Sequence, residues 1–181
     1  VVSISKDQGK TWSKWNWLYE YGRHHPSLVI LPNGHILMTY VVRKGYIDSP
    51  DGHPQFGIEA VVSRDNGQTW DLDHRFILNV WKSYLPANQP NSWWPSSQST
   101  STVLLPDGSI LTAFGTGYRS QSPTTGPRDV GVIHWRLNET AVLNGDRTIG
   151  SAPHDSQLRN LFDPATNRPV EQSGGDNTKN K

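Results

Sequence analysis

The strongest constraint on this chain is that it repeats itself. The stretch "PSLVILPNGHILMTYVV" (Pro26–Val42) returns as "TSTVLLPDGSILTAFGT" (Thr100–Thr116). One offset of 74 carries Leu31-Pro32-Asn33-Gly34 onto Leu105-Pro106-Asp107-Gly108, Ile36-Leu37 onto Ile110-Leu111, Tyr40 onto Phe114 and Gly57 onto Gly131. A shorter pattern recurs on its own spacing: "SKDQGKTW" (Ser5–Trp12) returns as "SRDNGQTW" (Ser63–Trp70), 58 residues later. Self-similarity of this kind marks a chain assembled from copies of one supersecondary unit.

Each unit reads as strands. "SLVIL" and "HILMTYVV" are apolar and β-branched, and a Pro-Asn-Gly or Pro-Asp-Gly turn divides them. Proline presets the first turn position and glycine accepts positive φ, so the pair is a hairpin. A polar loop follows, then a third strand ("QFGIEAVVS" or "DVGVIHWRL"), a turn and a fourth strand. Strands alternate with turns and helical periodicity is nearly absent, so the fold class is all-β. Four antiparallel strands per copy match a propeller blade, which takes about 40–50 residues. The larger offset places residues 79–98 in an elaborated connection.

In Ser-x-Asp-x-Gly-x-Thr-Trp the aspartate is expected to accept backbone N–H groups across a tight turn. Glycine supplies the unusual φ, and tryptophan packs at the turn's end. Ser5, Asp7, Gly9, Trp12 and their counterparts Ser63, Asp65, Gly67 and Trp70 are therefore read as structural. A calcium loop needs more oxygen ligands at regular spacing than these turns offer. Trp15, Trp17 and Trp135 are also assigned to packing.

Composition removes several alternatives. The 17 basic and 16 acidic side chains nearly cancel, which gives no reason to expect nucleic acid as a partner. Cysteine is absent, so disulfides and thiolate zinc sites are excluded. No run is long and apolar enough to span a bilayer as a helix. Nothing indicates a cofactor or metal.

The doubled motif resembles the Asp-box, or BNR repeat, of sialidases (neuraminidases) and related propellers. The flanking "PSLVILPNGHILMTY" and "STVLLPDGSILTAF" resemble the later blades of bacterial sialidase-like proteins. The resemblance covers roughly residues 1–137. It implies a six-bladed propeller whose Asp-boxes sit on the outer rim, away from the substrate pocket. About two and a half blades are expected here: a blade end at 1–20, a full blade at 21–75 and a degenerate blade at 95–145. The remaining blades would precede them in the same polypeptide. Residues 146–181 are polar and read as a poorly ordered tail, with one helical turn conceivable at Asp155–Phe162.

The same resemblance puts the pocket at the starts of the inner strands and the loops between second and third strands. The candidates there for binding substrate are Arg23, His24, His25, Arg43, Trp93, Trp94, Gln98 and Arg119. Asp51, with Asp48 beside it, and Glu59 are the carboxylates available for catalysis. Sialidases hold a carboxylate with three arginines and attack with a tyrosine paired to a glutamate. Here His24-His25-Pro26 stands where the first Arg-Ile-Pro would be. Neighbouring histidines in a regular strand face opposite ways, so at most one of them faces the pocket. Each candidate also has a plainer reading: Glu59 as an interblade ion pair, Asp51-Gly52 as a turn, and one of Trp93 and Trp94 as packing. The function implied is a sialidase-like glycosidase acting on glycans outside the cytoplasm, secreted or periplasmic. The alternative is a non-catalytic propeller module that binds glycan or protein.

Overall fold

The computed structural model describes residues 1–19, 22–44, 49–90, 92–96, 99–115 and 130–139, together with the paired dipeptides 162–163 and 168–169. Strands β1 (Arg23–Ile30), β2 (Ile36–Val42), β3 (Gln55–Ser63) and β4 (Phe76–Lys82) form an antiparallel sheet in sequence order. Strands β5 (Thr100–Leu104), β6 (Ile110–Gly115) and β7 (Val130–Trp135) form a second antiparallel sheet. A third ladder joins β8 (Phe162–Asp163) to β9 (Arg168–Pro169). The fold is all-β, as the turn spacing implies. The tail expected at 146–181 lies outside the described residues apart from β8 and β9, as does the helical turn apart from Phe162, which is in a strand.

The two proline–glycine turns are superposable in their bonding. Leu31 N–H reaches His35 O at 2.8 Å, and Leu105 N–H reaches Ser109 O at 2.8 Å. Gly34 and Gly108 take φ of 83° and 78°, the left-handed region that glycine enters without a Cβ clash. One boundary moves. The unit read as ending near residue 75 continues through β4 to Lys82, so residues 79–82 are strand rather than connection. A register shift between Ile58 and Glu59 lets β4 stay paired, and the Asn79 side chain accepts the Val80 N–H.

The sheets pack face to face. Leu37, Ala60 and Val62 meet Ile110, while Val41 and Ile58 meet Phe114. Burying one such side chain contributes about 1.5–3 kcal/mol. Threonine hydroxyls thread this apolar seam: Thr39 Oγ1 lies 2.6 Å from Thr102 Oγ1, which lies 3.1 Å from Thr112 Oγ1. The Trp135 indole N–H donates to Thr112 Oγ1 at 3.1 Å, so the buried hydroxyls satisfy one another.

Strand parity defines how the units relate. In β2 and β3, Leu37, Val41, Ile58 and Val62 face the second sheet. Met38, Tyr40, Val42 and Val61 point the other way, under Leu18, Tyr19, Trp70 and Leu72. Ile110, Thr112 and Phe114, which correspond to Ile36, Met38 and Tyr40, are the buried side of β6 and face the first sheet. Both sheets thus turn the same face toward the preceding segment. They stack in tandem, not as the mirrored halves of a sandwich.

The repeat is nevertheless imperfect. Ile36 pairs with Ser63, whereas its counterpart Ile110 pairs with Trp135 instead of Leu137. A two-residue slip preserves which side chains face inward. It seats Phe114 opposite Gly131, where an added Cβ would lie 2.4 Å from the ring. The expected packing role of three tryptophans is also corrected: Trp12, Trp15 and Trp17 are 64%, 54% and 61% exposed. Trp12 and Trp15 lie within the hairpin closed by the Val2–Asn16 bridge and Trp17 directly follows it, and no described element covers them. Trp70 and Trp135 do pack, against the Met38 and Leu37 clusters respectively.

Candidate functional site

Most of the residues singled out for binding gather at one end of the two sheets. β1 begins there with Arg23 and His24, paired to Val42 and Val41 at the end of β2. Arg43 follows directly. Its guanidinium carbon lies 5.6 Å from the centre of the Trp93 ring, which is 45% exposed. Thr100, opening β5, donates its hydroxyl to His25 O at 2.7 Å and ties this end of the first sheet to the second. Trp81 Nε1–H donates to Pro95 O at 2.7 Å, anchoring the loop that carries Trp93 and the half-buried Trp94.

The histidine pair departs from regular strand geometry. His25 has φ of 52°, and the β1–β2 register shifts between His24 and Ser27. Positive φ at a residue that precedes proline is a strained choice, of the kind found at sites. Strand alternation therefore fails here. Both rings are exposed, with centroids 6.0 Å apart and planes 36° from each other. Partial desolvation by its surroundings lowers the His24 pKa, and the neighbouring Arg43 and His25 charges lower it further, so its neutral form is favoured. Among the described residues no group of three His, Asp or Glu side chains is placed to hold a metal ion.

Arg23 and Glu59 belong to a different environment. The Arg23 side chain is 7% exposed, Glu59 is fully buried, and Nη2 to Oε2 is 4.0 Å. The Tyr40 hydroxyl donates to Glu59 Oε2 at 3.0 Å, and the Tyr19 hydroxyl sits 2.5 Å from that of Tyr40. The Arg23 guanidinium lies 4.8 Å from the centre of the Tyr19 ring. Burial pushes the Tyr40 pKa well above its ordinary value, and the Glu59 charge adds to the shift. Tyr19 is raised to about 12, chiefly by burial. Both phenols are held protonated, as donors. Tyr19, Tyr40 and the buried Arg75 are not among the candidates, because only the β2–β3 register puts Tyr40 opposite Glu59, and no local pattern in the sequence fixes that register.

Asp51 stands apart from Glu59. It is exposed and bonded to Ser49 and Lys82, which pull its pKa well below the ordinary value. Lys82 pairs with Gln55, four strand positions from Glu59, or about 13 Å along β3. The two candidate carboxylates share no described contact. Asp48, Gln98 and Arg119 lie outside the described residues.

The doubled motif occupies the opposite end of the first sheet, because β3 runs from Gln55 near the candidate site to Ser63. Its two copies close through the same aspartate and serine bonds. Asp7 accepts the Thr11 N–H at 2.9 Å and the Thr11 hydroxyl at 2.6 Å; Asp65 accepts those of Thr69 at 2.8 and 2.6 Å. The Ser5 and Ser63 hydroxyls accept Gly9 and Gly67 N–H at 2.7 and 2.8 Å. Gln8 and Asn66 join the two glycines in the left-handed region, with φ of 61° and 59°. These bonds lower the Asp7 pKa to about 2, the Thr11 hydroxyl contributing most. Both carboxylates are spent within their own turns, in keeping with a folding role.

A family model, the BNR/Asp-box repeat, matches residues 3–14 and 61–72. No curated protein matches the chain. The matched segments coincide with the two turns in which aspartate binds threonine, so this all-β protein carries two BNR/Asp-box repeats.

Proposed function

We propose that the chain forms neighbouring blades of a sialidase-like Asp-box propeller and binds glycan at the end of the sheets where His24, His25, Arg43 and Trp93 gather. The first sheet, with Leu18 and Tyr19 against one face, and the second sheet supply the blades. The observation that carries the reading is the Arg43 guanidinium beside the half-exposed Trp93 ring. An indole face takes the C–H side of a sugar ring, and a guanidinium fork takes a carboxylate. Tandem stacking of the two sheets supports the propeller, since radial repetition turns the same face of each blade to its predecessor. The same reading puts the protein at work on glycans outside the cytoplasm, secreted or periplasmic.

Binding, rather than bond cleavage, is the part assigned to these residues. Glu59 and Tyr40 are buried, and Asp51 is remote from them. A second reading, glycoside hydrolysis, is favoured by one observation: Tyr40 donates to Glu59 beside Arg23, the residue types of a sialidase nucleophile pair. Calorimetry and a panel of aryl glycosides, sialoside included, separate the two. The binding reading predicts glycan affinity that falls about tenfold in Arg43→Ala and Trp93→Ala, with no turnover. Turnover abolished by Glu59→Gln in a folded protein would establish the second reading. Unchanged affinity in both rim variants would remove the rim from the site.

A further inference from the structure

We propose a second saccharide site, for an anionic oligosaccharide, in the cleft between the two Asp-box turns, at the opposite end of the first sheet from Arg43 and Trp93. The cleft measures 430 Å³, within the range of small-ligand sites, and its walls include Lys6, Trp12, Lys14, Asn16 and Gln68.

The platform is Trp12. Its indole N–H is already satisfied, donating to Gly9 O at 3.2 Å, yet the side chain is 64% exposed. The ring is therefore held by its own turn and needs no polar partner. It offers a preorganised apolar face at little further entropic cost. The second copy shows the contrast: Trp70 is packed against the Met38 cluster and is no platform. Identical turns thus place one tryptophan in the core and the other in a cleft.

Charge sets the ligand class. Lys6 and Lys14 flank the same cleft, and neither ammonium has a hydrogen-bond or ion-pair partner among the described residues. The nearest acid in sequence, Asp7, is turned onto Ser5 and Thr11. Two uncompensated cations over an aromatic face suit a sugar ring bearing a carboxylate. Gln68 spends its amide N–H on Asp65 O, which leaves its carbonyl oxygen to accept a sugar hydroxyl.

Calorimetric titration of the full chain with tetragalacturonate, at low and moderate salt, tests this. To keep the cleft separate from the rim, the titration is run in both the wild type and Arg43→Ala. Saturable binding with Kd below about 1 mM is expected in both, weakening as salt rises. Trp12→Ala, and Lys6→Gln combined with Lys14→Gln, should each lose about tenfold or more, equivalent to ~1.4 kcal/mol. Trp12→Phe should retain most of the affinity, which guards against a folding artefact, and Trp15→Ala should match wild type. Absence of binding, wild-type affinity in Trp12→Ala, equal affinity for neutral cellotetraose, or tighter binding of an oligothymidylate would each overturn the assignment. The last would point to nucleic acid instead.

Discussion

Thr39 and Thr102 meet hydroxyl to hydroxyl at 2.6 Å, fully inside the seam between the two sheets. They are 63 residues apart in sequence and belong to different copies of the repeat. Neither hydroxyl reaches water, so each depends on the other and on Thr112. Thr39→Val should destabilise the protein by about 1–3 kcal/mol, because it strands a buried partner. The double replacement with Thr102→Val should cost less than the sum of the single ones. Urea unfolding of the four species reads this directly.

Gly131 permits the closest approach in the second sheet. A methyl group there meets the Phe114 ring at 2.4 Å. Gly131→Ala should therefore cost about 1–3 kcal/mol by overpacking. Adding Phe114→Leu should recover part of the loss, as judged by the shift of the denaturation midpoint.

Acid should weaken the Asp-box turns. Asp7 ionises near 2 in the folded chain against an ordinary 3.8. A depressed folded pKa means stability is fully present above pH 3.8 and lost as pH falls toward 2. Asp65 is shifted in the same direction, principally by the Thr69 hydroxyl. Replacing both with asparagine should lower the thermal midpoint at neutral pH and flatten its decline between pH 4 and 2.

His24 adds a second pH step at higher pH. Its folded pKa lies below the ordinary 6.5, so its neutral form is the one the fold accommodates. Stability is present above 6.5 and decreases as pH falls below it, since the unfolded chain takes up the proton first. His24→Gln should remove that step from a plot of thermal midpoint against pH, leaving the acid step in place.

The features legible in the sequence are the local ones. Pro-Asn-Gly, Pro-Asp-Gly and the Asp-box each close within eight residues through bonds their own side chains make, so residue type dictates geometry. Contacts between copies were not legible. Glu139, past the end of β7, binds His35 at 2.8 Å and Asn33 at 2.9 Å across more than a hundred residues. No local pattern announces such a pairing. Exposure of Trp12 was hidden for a similar reason: the turn sets where the indole sits, but whether a neighbouring segment covers it is a property of the assembly. At the candidate site, the strand pattern puts His24 and Arg43 at strand ends and Trp93 in a loop, and the structure gathers the three at one end of the sheets. The same pattern misjudges the histidine pair, because a bulge and a positive φ at His25 override the alternation a regular strand would impose.

The propeller and the rim site proposed above both rest on the tandem stacking of the two sheets. Because the chain has no cysteine of its own, a disulfide can probe it cleanly. In Thr39→Cys/Thr102→Cys the β-carbons should fall within reach of a bond that tolerates a Cβ–Cβ separation of about 3.5–4.5 Å. Mild oxidation should link the two positions in the folded protein, seen as loss of both thiols by mass spectrometry and a raised unfolding midpoint. Two thiols that stay free and reactive under the same oxidation would mean that β2 and β5 do not face each other, and would contradict the architecture.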